Sequence, residues 1–426
     1  MINRDKSNQT RILPIFSALL LAFALWAPQA IAQDTCYFVG GGGDNLWKTP
    51  SNWEGGDDFT ASNPQPDGTA CPATSGGITG VPGQDDSIII QPNQRVDVDF
   101  EFQDNAGIED PLANMELRSG ATYVNQVFGN PLTISGDLIV PSAANGFFHV
   151  SVGGGGDGDV TVQGDMTVGD DLISFATDQR DFFNPSESVQ GNLTVGGNLT
   201  IESGSQLRMS DLGSGTFVGI FSDLTVGGDL TNNGRLTADF ESAANSSTIT
   251  FNGGSGTQTA SGLTADLPNL TVTSGSTVNF TDAASFETTD GETLTISNQG
   301  AVDFSSGITL GTSTGTGTIE LSGNDLVLGG DFTTSSTIIS GSAGIEFDGN
   351  GAIDATYTTT TPPPTPIPSI PSVTVSSGAS VSVTNISSSS DKATIDGNLT
   401  IDAGSSFNLG GISNGNFQVT GTVTAN

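Results

Sequence analysis

The sequence predicts an all-β chain wound as a parallel β-helix, a solenoid whose coils stack on one another. Three observations predict it. A strand–corner–strand unit is repeated, apolar residues alternate with period two, and helix-forming runs are missing from a chain with 58 glycines and 13% charged residues. The unit is clearest at Gly191-Asn192-Leu193-Thr194-Val195-Gly196-Gly197-Asn198-Leu199-Thr200-Ile201, and it returns at Asp223-Leu224-Thr225-Val226 with Gly228-Asp229-Leu230-Thr231. Leu193 precedes Leu199 by six residues, Leu224 precedes Leu230 by six, and the two copies are offset by thirty-one.

Each part of the unit has a physical reason. In Leu-Thr-Val the first and third side chains share a face while the threonine points the other way. Two or three such apolar positions cannot bury themselves, so copies must cover one another. Glycine followed by Asn or Asp is expected at the corners, where it supplies positive φ and local side-chain bonds.

In chain order, residues 1–32 read as a signal peptide of Gram-negative type. Arg4, Lys6 and Arg11 precede an apolar run, and Ala30-Ile31-Ala32 is a small-x-small cleavage signal, so the mature chain is expected to start at Gln33. Cys36 lies too far from the apolar run for a lipoprotein, and no later segment is apolar enough to span a bilayer. These features predict an extracellular or cell-surface protein that is not inserted in a membrane once the leader is removed. The formal net charge is −36, and removal of the leader makes it more negative. Such acidity argues against nucleic acid and anionic membrane surfaces as partners.

Residues 33–99 form a distinct entry region. Cys36 and Cys71 are the only cysteines, and in an exported chain they predict one disulfide. By loop entropy it contributes about 3–4 kcal/mol. Trp47 and Trp53 are expected to plug the exposed end of the solenoid, with a carbohydrate-stacking platform as the other reading of the pair. The order Trp47, Asn52-Trp53, Pro82, Asp85-Asp86-Ser87-Ile88 and Val96-Asp97-Val98-Asp99 resembles the opening of secreted bacterial surface proteins built on parallel β-helices, and the start of the G8-type domain. The resemblance covers about sixty residues, and it implies the entry to a right-handed parallel β-helix.

Coils are expected over residues 100–356. Gly136-Asp137-Leu138 and Gly164-Asp165-Met166 lie twenty-eight residues apart, and Leu193 follows Met166 by twenty-seven. Thr248-Ile249-Thr250, Thr271-Val272-Thr273, Thr293-Leu294-Thr295 and Thr316-Gly317-Thr318 recur at 22–23 residues, the length of one coil. At about 4.8 Å per coil the rod is expected to be about 50–70 Å long. Residues 153–159 and 170–188 read as inserts that leave the coils. Residues 357–371, with Pro362, Pro363, Pro364, Pro366, Pro368 and Pro371, read as an extended insertion or hinge. The helix is expected to resume over residues 372–426, ending in strand-like sequence without an evident cap, so that either a partner covers the last coil or the sequence is a piece of a longer polypeptide.

Little chemistry is on offer. His149 is the only histidine, alternates with apolar residues in a strand, and is not supported by a Gly-x-Ser-x-Gly elbow. Gly153 to Gly156 with Asp157 and Asp159 faintly resembles a calcium-binding nonapeptide, but in a single copy, so no cofactor is expected beyond this calcium reading. Polysaccharide lyases on this scaffold resemble one another in pairing acidic calcium ligands with a basic residue, a role open to Arg208 or Arg235. Asp85-Asp86 and Asp170-Asp171 are neighbours in the chain, which places their carboxylates on opposite faces of a strand and suits them poorly to acid–base work. The reading that follows is an exported, non-catalytic, adhesin-like scaffold that presents loops to an extracellular polysaccharide or another surface protein. A polysaccharide lyase or hydrolase, and an ice-binding solenoid using the Thr doublets, are the alternatives.

Overall fold

The computed structural model describes residues 34–72, 79–83, 85–98, 112–125, 132–140, 147–150, 159–169, 173–174, 192–208, 223–237, 248–263, 269–288, 293–312, 318–334, 338–355, 369–384, 392–410 and 416–426. Residues 1–32, read from the sequence as a signal peptide, and residues 153–157 of the calcium reading fall outside them.

Alternation writes the strands. Leu193–Val195, Leu199–Ile201 and Gln206–Arg208 are the three strands of one coil, and the first two bury their outer residues while the central Thr stays half-exposed. Each pairs in parallel with its equivalent one coil later: Leu193 with Leu224, Leu199 with Leu230, Leu207 with Leu236. Repeated along the chain, this gives a parallel β-helix with three faces, and no α-helix occurs among the described residues.

The first face stacks nine strands from Leu132–Ile134 to Ile338–Gly341 and continues as three from Ser369–Ile370 to Asn416–Val419. The second face runs unbroken from Ser87–Ile90 to Val423–Ala425 within a 17-stranded sheet. The third face is built in two parts, six strands from Arg95–Val98 to Arg235–Thr237 and six from Ala284–Thr288 to Ser406–Asn408.

Inside, the register lines up apolar ranks. Leu132, Val160, Leu193, Leu224, Ile249 and Leu270 lie one above the next on the first face. All six are buried, and they belong to a single core that extends from Cys36 to Leu399. In the C-terminal half the ranks become aromatic. Phe280 pairs in register with Phe304, and their rings stack at 4.5 Å and 19°.

The entry is antiparallel. Thr35–Phe38 pairs in parallel with Ser87–Ile90 on one side, and on the other with Trp53–Gly56 running antiparallel; Pro66–Ala70 completes the edge. Cys36 and Cys71 form a disulfide, closing a loop with a sequence separation of 35. Parallel stacking has therefore begun before residue 99, interleaved with the entry region.

Four expectations are corrected. Leu193 stacks on Val160 and not on Met166, whose partner is Leu199. The residues after Met166 lengthen that coil, so a spacing of twenty-seven joins a second-face residue to a first-face one. The Thr doublets do not stack: Thr248 pairs with Asn269, Thr250 with Thr271, and Thr271 with Ser297. Thr273 lies one residue past the end of Asn269–Val272. Coil length varies, so equal spacing in sequence is not equal register. Third, residues 173–174 of the expected insert form a strand of the third face, pairing with Phe148-His149 and Leu207-Arg208. Similarly, Ser369–Ile370 of the Pro-rich stretch pairs with Thr394 and Ile395, and Val373 stacks on Ile345, so the helix resumes before residue 372.

The fourth concerns the corners. Gly164, Gly197 and Gly228 do not adopt positive φ; a Cβ on each would lie 2.6–2.8 Å from the backbone of the coil below. Glycine is needed there for close approach. Positive φ is found instead between the second and third faces, at Gly204 (+86°), Gly378 (+88°) and Gly404 (+79°), and between the first and second faces of later coils, at Gly254 (+67°) and Gly275 (+87°).

Candidate functional site

The aromatic entry is the first place to look for a ligand face, and it is closed. Trp47 is fully buried and Trp53 is 2% exposed. Their rings meet edge-on at 4.8 Å, Trp53 also meets Phe38 at 5.0 Å, and the Trp53 indole N–H donates to the Trp47 carbonyl at 2.6 Å. The pair plugs the end of the core and gives a sugar no surface to stack on, which corrects the carbohydrate reading of Trp47 and Trp53.

The residues around the tryptophans explain the motif in which they occur. Asn52 is buried, and its amide Nδ2 donates to the carbonyls of Asp44 and Leu46 at 3.1 and 2.9 Å while its Oδ1 accepts Gly42 N–H at 2.7 Å. That side chain ties down the loop leading to Trp47. Asn52 also donates to the Asp44 carboxylate, holding it below the usual Asp range. The Tyr37 hydroxyl donates to the Asp57 carbonyl at 2.7 Å, and burial pushes it up to about 12. Asn52 was visible in the sequence as part of the Asn52-Trp53 motif but without a role, and Tyr37 did not stand out, because a single Tyr in a strand carries no spacing signal.

Asp86 is buried, and its Oδ2 accepts Gly83 N–H at 2.8 Å. Asp85 has φ +64° in the turn before Ser87–Ile90. The two aspartates shape the turn into the first parallel strand. Asp170-Asp171 lies outside the described residues.

His149 lies in the strand Phe147–Val150, with backbone partners Val124 and Ser174. Arg208 pairs with Thr237 and Arg235 with Gln206, so the two arginines lie in different ranks of the third face, and Arg235 is exposed. Asp159, the described member of the calcium reading, accepts the backbone N–H of Asn192 at 2.9 Å. No group of three or more His, Cys, Asp or Glu placed to hold a metal occurs among the described residues.

Most of the Asn and Asp residues at the corners share the role of Asp159. Between the first and second faces, the Oδ1 atoms of Asn114, Asp137, Asp165 and Asn198 accept the backbone N–H of the same corner one coil later, at 2.9, 2.8, 2.7 and 2.8 Å, and Asp229 accepts that of Thr259, inside the next second-face strand, at 2.6 Å. A second ladder precedes the first face: Asp159 to Asn192 at 2.9 Å, Asn192 to Asp223 at 3.3 Å and Asp223 to Thr248 at 2.8 Å. Asp223 is half-buried, and desolvation raises its pKa. Corner carboxylates thus serve as hydrogen-bond acceptors for the backbone. The signal was present in the sequence as an Asx after Gly at Asp137, Asp165, Asn198 and Asp229.

Outside, Thr133, Thr161, Thr194, Thr225, Thr250 and Thr271 form one half-exposed rank on the first face. It is a single file and not the doublet face that the sequence spacing suggested. At the other end of the chain, Val423 is 57% and Leu409 43% exposed, and the Phe407 and Phe417 rings meet at 5.7 Å.

Coil length is set at one corner. Three residues separate Val195 from Leu199 and Val226 from Leu230, and the turns from second to third face are similarly short, as from Ile201 to Gln206. From third face to the next first face, the chain instead runs from Ser174 to Leu193, from Arg208 to Leu224, from Thr237 to Thr248 and from Ala355 to Ser369. No family model, no curated protein and no solved structure matches the chain.

Proposed function

We propose that the protein is an exported, non-catalytic, adhesin-like scaffold of the cell surface, whose variable segments all leave from one edge to meet an extracellular polysaccharide or another surface protein. The observation that supports this reading most is the confinement of long connections to the corner between third and first faces. At the corner between first and second faces an added residue would displace the Asx ladder and its close-packed glycines, whereas at the corner from third to first face the ladder holds only the residue that enters the first face, so residues can be added ahead of it. In repeat folds, insertions collected on one side are the usual location of binding loops. The net charge of −36 favours a partner that is neutral or cationic, or one bridged by divalent cations.

The test uses the whole exported chain. Residues 210–221, between Arg208 and Leu224, are replaced by a short Gly-Ser linker, and binding to glycan arrays and to intact cells is compared with the parent. The reading expects loss of binding with an unchanged thermal melt. Release of unsaturated or reducing sugar from an acidic polysaccharide by the parent chain would favour the lyase or hydrolase reading instead. Export is checked separately, by mass analysis of the mature N-terminus, expected at Gln33.

A further inference from the structure

We propose that the coil spanning residues 248–263 is a built-in breakpoint, a fault in the stack at which the C-terminal coils part from the N-terminal coils as a unit. Four features of this coil coincide.

The first is a slip of register. Before the fault, the second-face strands bury Leu199 and Ile201, then Leu230 and Asn232. After it they bury Gln258 and Ala260, then Val278 and Phe280. Leu230, the first inward residue of its strand, stacks on Ala260, the second inward residue of the next. The rank that contains Ile201 therefore ends at Asn232, and the rank that contains Val278 begins at Gln258.

The second is a broken face. The third-face sheet that ends at Arg235–Thr237 does not pair with the one that begins at Ala284–Thr288. Among the described residues, Leu263 stands between them, its carbonyl accepting Ser285 N–H at 2.9 Å.

The third is sparse pairing. Across the fault there are three residue pairs on the first face and two on the second. The preceding step has three on each of three faces, and the later step from Thr293–Asn298 to Thr318–Gly323 has six on the first face alone.

The fourth is a polar core. Gln258 is 3% exposed, and its Nε2 donates back across the fault to the carbonyls of Val226 at 3.0 Å and Gly228 at 2.6 Å, while its Oε1 accepts Gly253 N–H at 2.8 Å. Asn232 donates to the Gly262 carbonyl at 2.8 Å, and its buried Oδ1 has no partner among the described residues. Elsewhere along these second-face ranks an apolar side chain covers its neighbour, and the other such buried Asn, Asn298, belongs to a first-face rank. In a stack held by nearest-neighbour contacts, the step with the fewest pairs and least apolar cover is where cooperativity divides. Gln258 is the side chain that fastens it.

The experiment is hydrogen exchange read by mass spectrometry on the whole mature chain across a urea series. Peptides from residues 87–237 are expected to lose protection at one urea midpoint and those from 269–408 at another, with the boundary inside residues 238–263. Replacing Gln258 by Met, of similar volume, removes its bonds to Val226, Gly228 and Gly253. The Gln258→Met variant is expected to move the two midpoints further apart by shifting the less stable side alone. A single midpoint for both sides of the wild-type chain, or a boundary at residues 356–368, would overturn the breakpoint whatever the variant does. An equal shift of both midpoints in Gln258→Met would overturn the role given to Gln258.

Discussion

The Oδ1 atom of Asp165 accepts the backbone N–H of Asn198 at 2.7 Å, although the two residues are thirty-three positions apart in the chain. Asn198 in turn accepts Asp229 N–H at 2.8 Å. The bond fixes which residue of one coil lies over which residue of the next, so it sets register as well as satisfying a corner amide.

Removing one rung tests that role. Asn198→Ala leaves the Asp229 N–H without its acceptor, and a loss of about 1 kcal/mol is expected in urea unfolding, independent of salt. Asn198→Asp keeps the acceptor but puts carboxylates on four successive rungs, at Asp137, Asp165, the new residue and Asp229. Its loss of stability should be largest at low ionic strength and recovered by added salt.

Two glycine substitutions separate the two kinds of corner. In Gly197→Ala the new Cβ would lie 2.3 Å from Asp165 Oδ1 and 2.7 Å from the Gly164 carbonyl, so the coils must move apart. A cost of about 2–4 kcal/mol is expected in thermal or urea melts. Gly204→Ala has open space around it but φ +86°, and should cost only about 1 kcal/mol.

Asp223 gives a pH signature. Burial raises its folded pKa above the ordinary value of 3.8, so ionising it is harder in the folded chain than in the unfolded one. The stability associated with its neutral form is present below pH 3.8 and is lost as pH rises through the raised folded value. Asp223→Asn retains an acceptor for Thr248 N–H and removes the ionisation. The variant should melt higher than the parent at pH 7, with a difference that shrinks as the pH is lowered past the folded pKa.

Reduction of Cys36–Cys71 reports on the entry. The bond closes a loop of sequence separation 35, for which loop entropy gives about 3–4 kcal/mol. Trp47 and Trp53 are both buried beside it. Reduced protein should therefore show the red shift of tryptophan emission at lower urea than oxidised protein, ahead of the loss of β-sheet circular dichroism.

Much of the fold was legible because the repeat carries its own chemistry. Leu193 and Leu199 predicted Leu224 and Leu230 as partners, and the structure pairs them so. Spacing failed where coil length changed. Met166 was matched to Leu193 in place of Leu199, since both open a Leu-Thr-x strand and local alternation cannot say which face a strand belongs to. The same ambiguity hid the slip between Leu230 and Ala260, because a shift of two residues preserves alternation completely. At the entry, the tryptophans were legible as a plug, but the Asn52 amide that arranges them was not, since its partners are backbone carbonyls with no sequence signature.

The unequal corners also bear on how such a chain can change. A residue gained between Val195 and Leu199 must push a whole rung out of line, whereas one gained between Arg208 and Leu224 leaves every rung in place. Random insertion mutagenesis should therefore yield folded products almost wholly from one edge. Along that edge, lineages or engineers can graft foreign peptides without rewriting the spine.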